Sequence, residues 1–197
     1  MKEEARTAIL EAAEQVMAEQ GLTAPRMEDI AARVGVSVGT LYNYFEDRRG
    51  LFHALREARA QQLLAVLDAE LERGRGAPYR ERLEGLLRAT LEHTQQHFRL
   101  FTVILEDSRR EASTGEEVAH HQRQWNGLVE RVGSLSAEGI AQGVLRPEDA
   151  AHYPTLLLGM LQSLVLRQLL EHRPLPIDEQ LALLTRCFLE GASPRPR

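Results

Sequence analysis

The sequence predicts an all-α chain, with a three-helix head at its N-terminus followed by a larger helical body. Three observations point there. Helix formers (Ala, Leu, Glu, Arg, Gln) dominate, while β-branched runs are short. No hairpin-turn signal stands between two alternating apolar runs. Glycine and proline fall at intervals that cut the chain into helix-length pieces. With 197 residues, 43% hydrophobic and 27% charged, the chain is long and apolar enough to bury a sizeable core.

The elements follow in order. The first helix is expected over Glu3–Gln20, with Ala5, Ile9, Ala12 and Val16 on one stripe and Gly21 as its stop. The second covers Met27–Val34, with Pro25 suited to its first turn and Gly35 ending it. A very short third helix follows Ser37. A long fourth runs from Arg48 to Arg73, where Gly74 to Pro78 break the chain. Helices are expected next over Tyr79–His97, Phe98–Ser108, Glu116–Gln142, Pro147–His172 and Asp178–Leu189. Their punctuation is Ser113 to Gly115, Gly143 to Pro147, and Pro174 to Pro176. The tail from Ser193 to Arg197 is expected to be disordered. The division this suggests is a head over residues 1–50 and a body over residues 51–197.

Several classes are excluded early. A single cysteine, Cys187, forbids an internal disulfide framework and fits a reducing compartment; with Leu183, Leu184 and Phe188 for company it reads as buried core. The N-terminus lacks the apolar run of a signal peptide. Ala150 to Leu166 is uncharged, but His152, Pro154, Gln162 and Ser163 interrupt it. It falls short of the about 20 apolar residues of a span and reads as a buried helix. A cytoplasmic protein without a membrane partner is expected. No nucleophile–base set, phosphate-cradling glycine loop or complete metal site is visible, so neither catalysis nor a cofactor is expected.

The informative segment is Met27 to Phe45: a helix, a tight turn at Gly35, and a second helix capped by Ser37. At about 100° per residue, Leu41 and Phe45 face Ile30 and Val34, leaving Gly39 and Asn43 on the opposite side. Thr40 and Tyr42 flank them, and Val38 lies at the margin. Gly39 lets backbone approach backbone, and free N–H groups at a helix start favour phosphate. Asn43 can pair with adenine through two hydrogen bonds, and the Thr40 methyl can touch a thymine methyl. Tyr42, Tyr44, Arg48 and Arg49 offer hydroxyls and charge to phosphates. Bulk charge does not help: the chain carries −5, and in residues 1–60 ten acidic residues face eight basic ones.

Gly35-Val-Ser-Val-Gly-Thr-Leu-Tyr-Asn-Tyr-Phe45, followed by Leu51-Phe52, resembles the helix-turn-helix signature of the TetR (TetR/AcrR) family. The match covers about residues 5–55; a weaker one, from Gly139 to Leu170, is similar to the family's dimerisation region. The resemblance implies an all-α homodimer that sets one recognition helix per subunit into successive major grooves of an operator. Repression relieved by a ligand is the family's usual mode. It assigns DNA contacts to Ser37, Gly39, Thr40, Tyr42, Asn43, Tyr44 and Arg48. Val38 stands where many members carry lysine, and Ala24-Pro25-Arg26 replaces a threonine-rich helix start, with Arg26 as the substitute contact.

In the body, an apolar stripe runs through Leu83 and Leu87 to Phe98, Phe101 and Leu105, with Thr90 and Thr94 on its inward side and His93 and His97 beside them. Apolar walls with a few convergent polar groups suit a small hydrophobic ligand, expected at Thr90, Thr94, His97, Phe98, Phe101 and Trp125. The alternatives are threonines bonded four residues back along the helix with solvated histidines, and a Trp125 that is plain core. His93 and His97 have the i, i+4 spacing of a metal pair, with His120 and His121 nearby, yet nothing completes a set. Ala150 to Leu170 is apolar nearly all round and so must bury more than one face; with Ile177 to Leu189 it could supply half of a four-helix dimer interface. A DNA-binding regulator without a small-molecule inducer, controlled by a protein partner, is the alternative function.

Overall fold

The computed structural model describes residues 2–20, 25–103 and 115–192, and among these every regular element is a helix. The order is α1 (Lys2–Gln20), α2 (Met27–Val34), α3 (Val38–Tyr42), α4 (Arg48–Arg73), α5 (Tyr79–Gln96), α6 (98–103), α7 (Gly115–Ala141), α8 (Tyr153–Glu171) and α9 (Ile177–Ala192). Gly21, Ala24, the expected second half of the sixth helix, Ser113, the side chains of His120 and His121, and the tail from Ser193 lie outside the described residues. None of the helices described is long and apolar enough to cross a membrane.

The chain divides into two compact units. One holds the residues up to Gln61 and the segment that starts at His97; the other holds Gln62–Gln96 and the residues from α7 onward. In the first unit, Ile9, Leu10, Ala13, Val16 and Met17 of α1 bury against Ile30, Leu41, Phe45, Leu51 and Leu55. Leu100 and Val103 of α6 complete that core.

The second unit is built on Leu83, Leu86, Leu87 and Leu91 of α5, Val132 and Leu135 of α7, Leu157 and Leu161 of α8, and Leu184 and Phe188 of α9. Gly139 sits where an added Cβ would lie 2.7 Å from the Tyr79 ring and 2.9 Å from Leu145, so the ring packs there because the side chain is missing. Two sets of polar groups in this unit are matched. Gln168 donates to the Gln180 side chain at 2.7 Å and accepts from Leu175 N–H, and Gln180 donates to the Leu175 carbonyl, which pins the α8–α9 turn. Arg82, buried, donates to the Leu71 carbonyl at 2.9 Å and pairs with Glu138.

Two expectations need correction. The helix expected over Pro147–His172 is a 3-10 turn, Pro147–Asp149, followed by α8 starting only at Tyr153. Pro154 lacks an N–H and suits a first helical turn, so it marks a start and not an interior. Cys187 is exposed. The core face of α9 is Leu181, Leu184, Thr185 and Phe188, and Cys187 falls with Leu183 on the side turned away from it.

Candidate nucleic-acid interface and ligand-binding residues

The N-terminal head is held by its turn and its cap. Gly35 has φ 80°, a left-handed backbone that glycine adopts freely, and its N–H and that of Val36 both donate to the Ala31 carbonyl at 3.0 Å. Ser37 then caps α3: its Oγ accepts the Thr40 N–H at 3.0 Å and lies 2.7 Å from the Thr40 hydroxyl. The helix is only five residues long, ending at Tyr42, yet the chain turns on so that Phe45 still reaches the core beside Leu41.

That burial decides what faces outward. Gly39, Asn43 and Ser37 are exposed, and Tyr42 is 47% exposed, high for a large aromatic ring. Thr40 is half-buried. Val38 and Tyr44 are half-buried too, packed against the head's core, so each presents only part of its side chain. Arg26 is exposed just ahead of α2 as its N-cap residue, which places Pro25 outside the helix and not in its first turn. Arg48, exposed at the start of α4, lies with its guanidinium 5.7 Å from the centre of the Phe52 ring, and Arg6 lies 5.5 Å over Phe45.

Much of the head's acidic excess is committed locally, which composition cannot reveal. The Asp47 carboxylate accepts the Gly50 N–H at 2.6 Å and caps α4. Asp29 accepts from Gln20 at 3.0 Å, and Glu19 pairs with Arg33, their mutual hydrogen bond lowering the glutamate pKa and raising that of the arginine. Glu14 is held by Arg59 and His97. A carboxylate next to a helix start, as Asp47 is, could have been read from sequence as a cap. The pairing of Glu14 could not.

The six residues expected at a ligand divide between the units. Thr90, Thr94 and Trp125 belong to the second; His97, Phe98 and Phe101 belong to the first. Thr90 is buried and donates to the Leu86 carbonyl at 2.8 Å, and half-buried Thr94 donates to the Thr90 carbonyl at 2.8 Å. Trp125 is half-buried against the second unit's core. His97 and its neighbour His93 are both buried, and Phe98 and Phe101 are half-buried.

Comparison with known proteins adds to this geometry. A family model described as bacterial regulatory proteins, tetR family, matches residues 9–55, and one described as tetracyclin repressor-like, C-terminal domain, matches residues 76–166. The HTH-type transcriptional regulator YhgD of Bacillus subtilis is 24% identical, over 94% of this chain and 95% of its own. The HTH-type transcriptional repressor KstR2 of Mycobacterium tuberculosis is 28% identical, over 73% of this chain and 70% of its own. Among solved structures, the regulator FadR from Bacillus subtilis in complex with stearoyl-CoA superposes with a TM-score of 0.75 at 18% identity, covering 94% of this chain and 98% of that one.

Proposed function

The chain belongs to the tetR family of bacterial regulatory proteins, and we propose that it is an operator-binding repressor whose grip on DNA loosens when a small apolar ligand binds. The observation that carries the DNA reading is the outward face of α3: Gly39, Tyr42 and Asn43 lie opposite Leu41 and Phe45, which are fully taken up by the core. Asn43 reads an adenine edge, Thr40 offers its methyl, and Gly39 keeps the backbone close. Ser37, Tyr42, Tyr44, Arg26 and Arg48 meet phosphates, which position the helix without specifying sequence, and Val38 contributes an apolar edge.

A second copy completes the reader. On α8 and α9, which pack against each other, Leu156 (56% exposed), Leu166, Leu170 and Leu183 are exposed, and exposed leucines on such helices suit self-association. Two-fold pairing places two recognition helices about 34–36 Å apart, or a multiple of it, on a near-palindromic site.

FadR of Bacillus subtilis was solved with stearoyl-CoA, and Thr90, Thr94 and Trp125 here combine an apolar surround with hydroxyls whose donors are already satisfied, leaving only acceptor capacity. An acyl chain with few polar demands fits that chemistry. The test is to select duplexes from a random pool and then titrate stearoyl-CoA against the complex. The expected result is a near-palindromic site whose affinity falls 5–150-fold, the usual coupling range of about 1–3 kcal/mol. No enriched sequence would overturn the recognition-helix reading; an unchanged affinity with stearoyl-CoA and with free fatty acids would overturn the ligand class alone.

A further inference from the structure

Two covalent routes between the units fall among the described residues: inside α4 between Gln61 and Gln62, and between Gln96 and His97. Arg59 stands two residues before the first crossing, and His97 is the first residue after the second. A single carboxylate in the first unit holds both. Glu14 of α1 accepts from Arg59 Nε at 2.8 Å, with Arg59 Nη2 at 2.6 Å from the same Oε2, and its other oxygen meets His97 Nδ1. A carboxylate has no hydrogen to give, so the His97 ring carries a proton on Nδ1. The three side chains are 18%, 16% and 5% exposed. Burial by itself raises the Glu14 pKa, but the His97 hydrogen bond and the Arg59 charge outweigh it and hold the carboxyl below its ordinary value.

Stability is a weak reason for such a cluster. Desolvating several charged groups costs about as much as their attraction returns, and well-packed apolar residues often do as well. What the cluster supplies is a fixed relation between three segments. The neighbours of Glu14 on α1, namely Leu10, Ala13 and Met17, are buried in the core that also holds Ile30 of α2 and Leu41 of α3, while Leu100 and Val103 tie α6 to the same core.

We infer that Glu14 is a positioning residue for operator binding: it gathers both chain crossings onto α1, so that a displacement of the chain at either one reaches the helices that present Tyr42 and Asn43. This rests on α3 being the recognition helix, as proposed above. The converse must also hold, since coupling is reciprocal: DNA held by α3 steadies the chain at His97.

The experiment is hydrogen exchange on the full chain, with and without a duplex selected from a random pool. In the wild type, bound duplex is expected to slow exchange in peptides over residues 97–103 by roughly 5-fold or more. Glu14→Gln, which keeps the side-chain shape but removes the charge, should abolish that slowing while the free variant still melts cooperatively. His97→Asn, which retains a donor near the Nδ1 position, should preserve it, and His97→Ala should not; this second pair carries the comparison if Glu14→Gln does not fold. A purely structural role would lower the melting temperature and leave the DNA-dependent slowing in place. The inference is overturned if Glu14→Gln or His97→Ala slows exchange as the wild type does, or if bound duplex leaves residues 97–103 unchanged in the wild type. A wild-type chain that selects no duplex is a different failure: it removes the recognition-helix reading, and this inference with it.

Discussion

Glycine 35 and glycine 139 are both required, for different physical reasons, and substitution separates them. At Gly35 an added Cβ meets nothing within 4 Å, so Gly35→Ala is charged only for forcing an L-residue to φ 80°, about 1–2 kcal/mol. At Gly139 the backbone is ordinary helix and the obstacle is the buried Tyr79 ring. Gly139→Ala gains up to about 1 kcal/mol of helix propensity, but overpacking costs typically 1–3 kcal/mol, and a net loss is expected. Urea unfolding should show both variants folded with lowered midpoints, and a Gly139→Ala protein more stable than wild type would refute the packing argument. On the outward face of α3, Asn43→Ala and Tyr42→Ala remove exposed side chains and should leave the unfolding midpoint where it is. Asn43→Ala should cost roughly 1–3 kcal/mol of operator affinity and relax specificity at one base pair. Fluorescence anisotropy on a selected site reads this directly, and equal affinity in both variants would remove α3 from the interface.

Among the elements, α8 shows what a hydrophobic pattern leaves open. A helix apolar nearly all round must cover two faces, and the sequence reads that requirement correctly. It does not say which leucine lies on which face. Leu161 is only 8% exposed and belongs to the protomer's own core, and Leu164 is half-buried against it, whereas Leu156, Leu166 and Leu170 stand outward. The expected consequences differ accordingly. Leu166→Arg should shift sedimentation at micromolar concentration from dimer to monomer with helical circular dichroism retained. Leu161→Arg should unfold the chain, since an unpaired charge would be buried. If Leu166→Arg sediments as the wild type does, this face is not the one that pairs. The same limit of pattern reading explains Cys187, one position away from buried Phe188 yet outside the core face.

The whole molecule has a pH signature that follows from Glu14. Its pKa in the folded chain lies below the ordinary 4.5, so its contribution to stability is complete above that value and is lost as pH falls through the depressed one. Urea unfolding between pH 6 and pH 3 should therefore show an acid limb that is shallower in Glu14→Gln than in the wild type, the two curves drawing together at the acid end. Curves that stay parallel throughout would mean that Glu14 is not ionised against Arg59 and His97. At the same scale, a ligand that weakens operator binding must itself be weakened by operator to the same degree, which calorimetry with and without duplex can check.

The sequence by itself determined the helical class, the head with its Gly35 turn and Ser37 cap, and the outward Gly39-Tyr42-Asn43 face. Each of these is set within about ten residues, by backbone freedom, local hydrogen bonds and helical period. The tertiary structure alone decided that the segment from His97 joins the first unit, that Glu14 meets Arg59 and His97 across 45 and 83 positions, and which side of α8 and α9 is left uncovered. The reason is physical. A charged side chain beside an apolar stripe reads as solvated until its partners are brought to it, and partners that far apart are chosen by packing, which carries no periodic trace in the sequence.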